Sequence, residues 1–231
     1  MKTGKSWKRS LALVSAISIV AIPPHNIHAA TPPSQLVVQQ ATSTATLRLE
    51  DLPAGFEEVP SAFKPQIAAY LSQFAPLLTK QNLQINDYFV YVNRNTLEVV
   101  SGFTTTLPNQ PLSLLRFDAN LRQVEQPQYW QQLFAKLQPQ IGVAANLLQH
   151  QPNRLNVGNS SAGATLAIGA LNQRAQVDVG SFRRGNVGVF TAVMSLNRIT
   201  PQASLQDVAT KVDRRLLQPK TNRSTPVSRV W

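Results

Sequence analysis

Arg183 and Arg184 are the residues of this chain best suited by type and spacing to do chemistry. They lie in Phe182-Arg183-Arg184-Gly185-Asn186, between two runs of β-forming residues, so a hairpin tip is expected to carry them. Two guanidinium groups exposed at such a tip can each grip a carboxylate or a phosphate through paired N–H donors. The plainer reading of the pair is solvated charge, which hairpin tips commonly collect.

Other reactive groups are few. The chain has no Cys, which excludes disulfides, zinc–thiolate sites, iron–sulfur clusters, thiol nucleophiles and a Cys-anchored lipoprotein. Of three His, His25 and His28 fall in the N-terminal leader; His150, in Leu148-Gln149-His150-Gln151-Pro152, is expected at a helix end and without a catalytic role. Glu50-Asp51 and Glu57-Glu58 are adjacent carboxylates, and neighbours along a strand or loop point apart, so solvated charge is expected rather than an acid/base dyad. Ser101, Ser160 and Ser161 stand in no nucleophile motif. Gly158-Asn159-Ser160-Ser161-Ala162-Gly163 lacks the Lys and following helix of a phosphate loop and reads as a turn into a strand starting at Ala164. No D-x-D-x-D-G cation loop occurs. No catalytic residue, metal or cofactor is therefore expected, and Arg183 and Arg184 remain the candidate binding residues.

The elements that must position them begin after a leader. Residues 1–10 carry Lys2, Lys5, Lys8 and Arg9 without an acid, residues 11–22 are uncharged, and Pro23-Pro24 and Ala29-Ala30 follow. A basic head, an apolar run and a small-residue exit make up a secretory signal peptide. Twelve helical residues span about 18 Å, short of the roughly 30 Å hydrocarbon core, so cleavage after Ala29 or Ala30 is expected rather than a permanent anchor. The protein is then exported, to a periplasm, a thylakoid lumen or the medium. The leader holds four cations and no acid, so its loss takes the net charge from +11 to +7. Outside the cytosol no nucleic-acid partner is expected; a protein or an anionic envelope surface suits a basic exported chain better.

The expected organisation is a signal peptide (1–29), a Pro/Ser/Thr/Gln-rich linker (30–46), one globular domain (47–217) and a basic flexible tail (218–231). Helical spacing appears in residues 62–80, in 128–137 with Pro139 ending it and a second piece over 141–148, and in 204–217, where Ser204 and Asp207 form a capping box. Strand patterns flank Asn93-Arg94-Asn95-Thr96 and Arg183-Arg184-Gly185-Asn186, with further strands over 112–117 and 164–168. In the first hairpin a two-residue loop at Arg94-Asn95 pairs Val92 with Leu97. In the second, Val177 and Val179 share a buried face with Phe190, Ala192 and Met194. Hairpins mixed with helices, without βαβ alternation, imply an α+β single domain with a mainly antiparallel sheet. The helical stripes argue against an outer-membrane barrel, despite the terminal Trp231.

Leu49-Glu50-Asp51-Leu52-Pro53-Ala54-Gly55-Phe56, Val157-Gly158-Asn159-Ser160-Ser161-Ala162, Phe182-Arg183-Arg184-Gly185-Asn186-Val187 and the closing Asp213-Arg214-Arg215-Leu216 resemble secreted sensor or lipoprotein modules of bacteria with a Mog1/PsbP-like fold. The Gln-rich, charge-poor style resembles cyanobacterial exported proteins. The resemblance implies an antiparallel sheet sandwiched by helices and a binding or assembly-assisting role, with no catalytic residues to carry over. The expected function is non-enzymatic binding of a protein or anionic envelope component; the alternatives are a small-ligand carrier with a cavity between sheet and helices, and a hydrolase of unfamiliar type.

Overall fold

Period-two runs of Val, Phe, Thr and Ala build the centre of the sheet. The computed structural model describes residues 46–65, 67, 85–141, 145–170, 173–196 and 200–218. Seven strands, β1 (Phe56–Glu58), β2 (Ile85–Asn93), β3 (Glu98–Thr106), β4 (Ala145–Pro152), β5 (Ser160–Ala170), β6 (Gln173–Arg184) and β7 (Val187–Leu196), form one sheet of order β1-β2-β3-β7-β6-β5-β4. Every neighbouring pair is antiparallel. Among the described residues three longer helices, α1 (Pro111–Leu121), α2 (Pro127–Ile141) and α3 (Leu205–Leu217), join the sheet in an α+β domain. None is long and apolar enough to cross a membrane.

Both faces of the sheet are covered. On one, Val99, Phe103, Val177, Phe190 and Met194 pack under Phe117 and Leu121 of α1 and Trp130 and Leu133 of α2. Phe190 stacks on Phe103 with centroids 4.7 Å apart and meets the edge of Phe117 at 6.0 Å. The Trp130 indole N–H donates to the Val124 carbonyl at 2.7 Å, tying α2 to the 3-10 turn after α1. On the other face, Phe89, Tyr91, Val100, Phe182, Val189 and Val193 meet Leu205, Val208, Ala209 and Val212 of α3. The expectation of one buried face for the second hairpin is thus half of the truth: Val177, Val179 and Phe190 are covered, and so are Phe182, Val189 and Val193 behind them.

Several expectations change for physical reasons. Residues 112–117 are helix, not strand: Pro111 starts α1, with Leu114, Phe117 and Leu121 on its inner side. Leu112 and Leu115 add a second apolar stripe on the outside, which hides the helical period. Pro139 does not end α2, which runs to Ile141, and Ala145–Pro152 is the edge strand β4 in place of a second helical piece. An edge position tolerates Pro152. The first hairpin has a four-residue loop, so Val92 pairs with Val99, two residues beyond the expected Leu97. Asn93 Oδ1 accepts the N–H groups of Asn95 and Thr96, and Leu97 takes φ +54. A shift of two leaves every side chain on its expected face. The second hairpin closes tighter, Arg184 pairing with Val187 across Gly185-Asn186, with Gly185 at φ +58. Strand β5 starts at Ser160, four residues before expected. The leader, most of the linker, all but the first residue of the basic tail and most of the expected 62–80 helix lie outside the described residues; Ser61–Phe63 form a 3-10 turn.

Helix α3 forms where its sequence implies, with the N-cap half of the expected capping box. Ser204 caps it, accepting the Asp207 N–H at 3.1 Å and donating its hydroxyl to the Asp207 carboxylate at 2.7 Å. The segment leading into it is held by Glu98, whose buried carboxylate accepts the N–H groups of Gln202 and Ala203, each at 2.9 Å. Glu98→Ala strands those donors and is expected to destabilise the domain by about 2–3 kcal/mol in urea unfolding, with Glu98→Gln costing less because one acceptor survives.

Candidate functional site

Consecutive residues on a strand point to opposite faces, and Arg183 and Arg184 end β6 side by side. Arg183 Nε and Nη2 donate to Asp118 Oδ1 and Oδ2 at 2.8 and 2.6 Å. Arg184 Nε and Nη2 donate to Asp213 Oδ1 and Oδ2 at 2.7 and 2.5 Å. Asp118 belongs to α1 and Asp213 to α3. One strand end therefore holds the helix on each side of the sheet through a paired-donor ion bridge.

The turn before β5 seals this junction. Ser160 donates its hydroxyl to Asp118, the Gly158 N–H reaches Asp213 Oδ2 at 3.4 Å, and the Asn159 N–H bonds the Arg183 carbonyl at 2.6 Å. Asn159 Oδ1 in turn accepts the Gly185 N–H at 2.7 Å. Gly158 sits at φ +70, and a Cβ there would lie 2.5 Å from the Arg183 oxygen, so both backbone and space require glycine. The hydrogen bonds from Arg183, against the effect of burial and with help from Ser160, hold the Asp118 carboxyl below the usual carboxylate range.

The expected exposed guanidinium groups are thus 14% and 27% exposed. They grip carboxylates in the predicted two-donor manner, but the carboxylates are the chain's own. Of the paired acids, Glu50, Glu57 and Glu58 stand in solvent as expected, in surface pairs with Arg48, Arg94 and Lys64, whereas Asp51 is drawn in against Arg215 at 2.7 Å. His150 lies on strand β4 rather than at a helix end, its Nε2 3.5 Å from the Val124 carbonyl.

Charge is therefore sorted by position. Among the described residues every acidic side chain except that of Glu125 holds a hydrogen bond or ion pair within the molecule. Arg116, Arg122, Lys136, Arg154 and Arg214 are exposed and hold no ion pair among those residues.

Two of these cations frame an apolar stripe. At about 100° per residue, Leu112, Leu115 and Ala119 fall within roughly 60° of arc on the outer side of α1, with Arg116 beyond one margin and Arg122 beyond the other. Leu112 is 58% and Leu115 65% exposed. The stripe runs into an open groove of about 520 Å³ lined by Ala119, Arg122, Tyr129 and four glutamines, all from the helical layer. Burial pushes the Tyr129 hydroxyl up to about 12, so it stays neutral. Sequence reasoning missed this surface. The signal that would have found it was Pro111 read as a helix start.

No known protein-family model matches this chain, and no curated protein is significantly similar to it.

The Arg183–Asp118 bridge is expected to couple by about 2 kcal/mol in a double-mutant cycle with Ala at each position, below a fully buried pair because both ends keep some solvent. Because the folded carboxyl of Asp118 is held below its unfolded value, its contribution is complete above the ordinary range near about pH 4 and is lost as pH falls through the depressed value. The stability gap between the native chain and Asp118→Asn should accordingly stay constant from neutrality to about pH 5 and shrink in stronger acid, as read by urea midpoints.

Proposed function

We propose that this chain is an exported, non-catalytic binding module that docks on an anionic partner through the outer side of α1. The observation that carries the reading is the exposed Leu112 and Leu115 stripe, framed by Arg116 and Arg122, on a chain whose described acids other than Glu125 are held by partners within the molecule. Exposed single leucines are ordinary on protein surfaces, but two in register, flanked by exposed cations that hold no ion pair among the described residues, support a contact role for this face. Export rests on the basic head, apolar run and small-residue exit of residues 1–30.

The likeness to Mog1/PsbP-like secreted modules supports a binding role in the same sense. The sandwich of an antiparallel sheet between helices suits that likeness. The glutamine-lined groove beside Arg122 supports a second reading, a carrier of a small polar ligand; native mass spectrometry of the chain purified from its host should then show a bound mass.

Expression in a bacterial host is expected to yield a chain beginning at Ala30 or Thr31 in the envelope fraction, as read by N-terminal mass spectrometry. Leu112→Gln with Leu115→Gln is a surface change that should leave stability within about 0.5 kcal/mol while reducing envelope association about tenfold. Unprocessed chain in the cytosol, or association unchanged in the double variant, would defeat the proposal.

A further inference from the structure

Resting on the docking reading of α1, we propose that the partner of this face is an anionic lipid headgroup surface. Leu112 and Leu115 enter the boundary between headgroups and acyl chains, and Arg116 and Arg122 pair with headgroup phosphates. The exposed apolar atoms of the stripe are aliphatic, Leu112, Leu115 and Ala119, side chains that enter the boundary between headgroups and acyl chains. Cations on both margins of an apolar stripe are the arrangement of a helix lying in the plane of a membrane interface, where long basic side chains reach up to phosphates while their stems stay apolar.

The electrostatics agree. Asp118, the one acid of α1, is turned to Arg183 and neutralised there, so it does not repel an anionic surface. Lys136 adds an exposed cation to the same helical layer. The groove next to Arg122 is lined by neutral amides such as Gln126, Gln128 and Gln132, which can hydrogen-bond headgroup oxygens without adding charge. Helix α3 lacks this combination: Leu217 at its end is 60% exposed but has no apolar neighbour at i−3 or i−4, where Arg214 and Asp213 stand.

The test is co-sedimentation of the processed chain recovered from the envelope fraction, beginning at Ala30 or Thr31, with unilamellar vesicles of phosphatidylglycerol and phosphatidylcholine, and of phosphatidylcholine alone. The leader, with four cations and an apolar run, would bind such vesicles by itself. Leu112→Gln with Leu115→Gln should lower partitioning onto the mixed vesicles about tenfold. Arg116→Gln with Arg122→Gln should lower it by about tenfold or more at low salt and change little on phosphatidylcholine alone. Because the chain has no Cys, Leu115→Cys and Leu217→Cys each carry a single environment-sensitive dye; the dye at 115 should shift to the blue on mixed vesicles and the dye at 217 should not. This readout also stands if a double variant folds poorly. Wild-type partitioning by both double variants, or equal dye shifts at the two sites, overturns the lipid assignment. Loss of envelope association in the leucine variant together with unchanged vesicle binding also overturns it while leaving the docking reading in place, as does binding to polyglutamate that ignores the leucine changes, which points to an acidic protein.

Discussion

Two arginines in succession at the end of one strand cannot point the same way, and in this protein that constraint organises three layers. Arg183 reaches Asp118 on α1 and Arg184 reaches Asp213 on α3, each through two short hydrogen bonds. The apolar contacts of the sheet supply most of the cohesion, because burial is large and non-directional. It is this lack of direction that the ion bridges make good: a packed helix can slide or rotate at modest cost, whereas a bidentate bridge accepts one orientation. The turn at Gly158 to Ser160 adds donors to the same carboxylates, so the remaining acceptor sites near the bridges are also used.

The surface follows from the interior. Ion bridges, the helix cap and the buried Glu98 draw the scarce acids inward or against basic partners. In a chain with twice as many basic as acidic side chains, the cations left over must face outward. Where two of them flank Leu112 and Leu115, the outer side of α1 becomes both apolar and basic. The binding proposal thus does not depend on Arg183 and Arg184. Those residues set the position of α1, and α1 presents the contact surface.

Much of the fold was legible in the sequence. Ser204, Asp207 and the stripe from Leu205 to Leu216 mark α3 because capping and helical period are local properties. The face assignments of both hairpins were legible because side-chain alternation survives a register shift of two. Helix α1 was not legible, since its apolar residues face both core and solvent, and a residue bound for solvent cannot be told from one bound for the core by type alone. Helix α2 continues past Pro139, and the residues after it became an edge strand because β5 offered a free ladder. The candidate surface was hidden for the same reason as α1 itself.

By itself, then, the sequence determined the class of the fold, the absence of thiol chemistry, the surplus of positive charge and the readiness of Arg183 and Arg184 to take carboxylates in a two-donor grip. Only the tertiary structure decided which carboxylates those would be and which leucines would stay in water. The physical reason is range. Hydrophobic period, capping and turn preference act over a few residues, whereas Asp118 lies 65 residues from Arg183 and Asp213 29 from Arg184. Partners that distant are chosen by the way the layers stack.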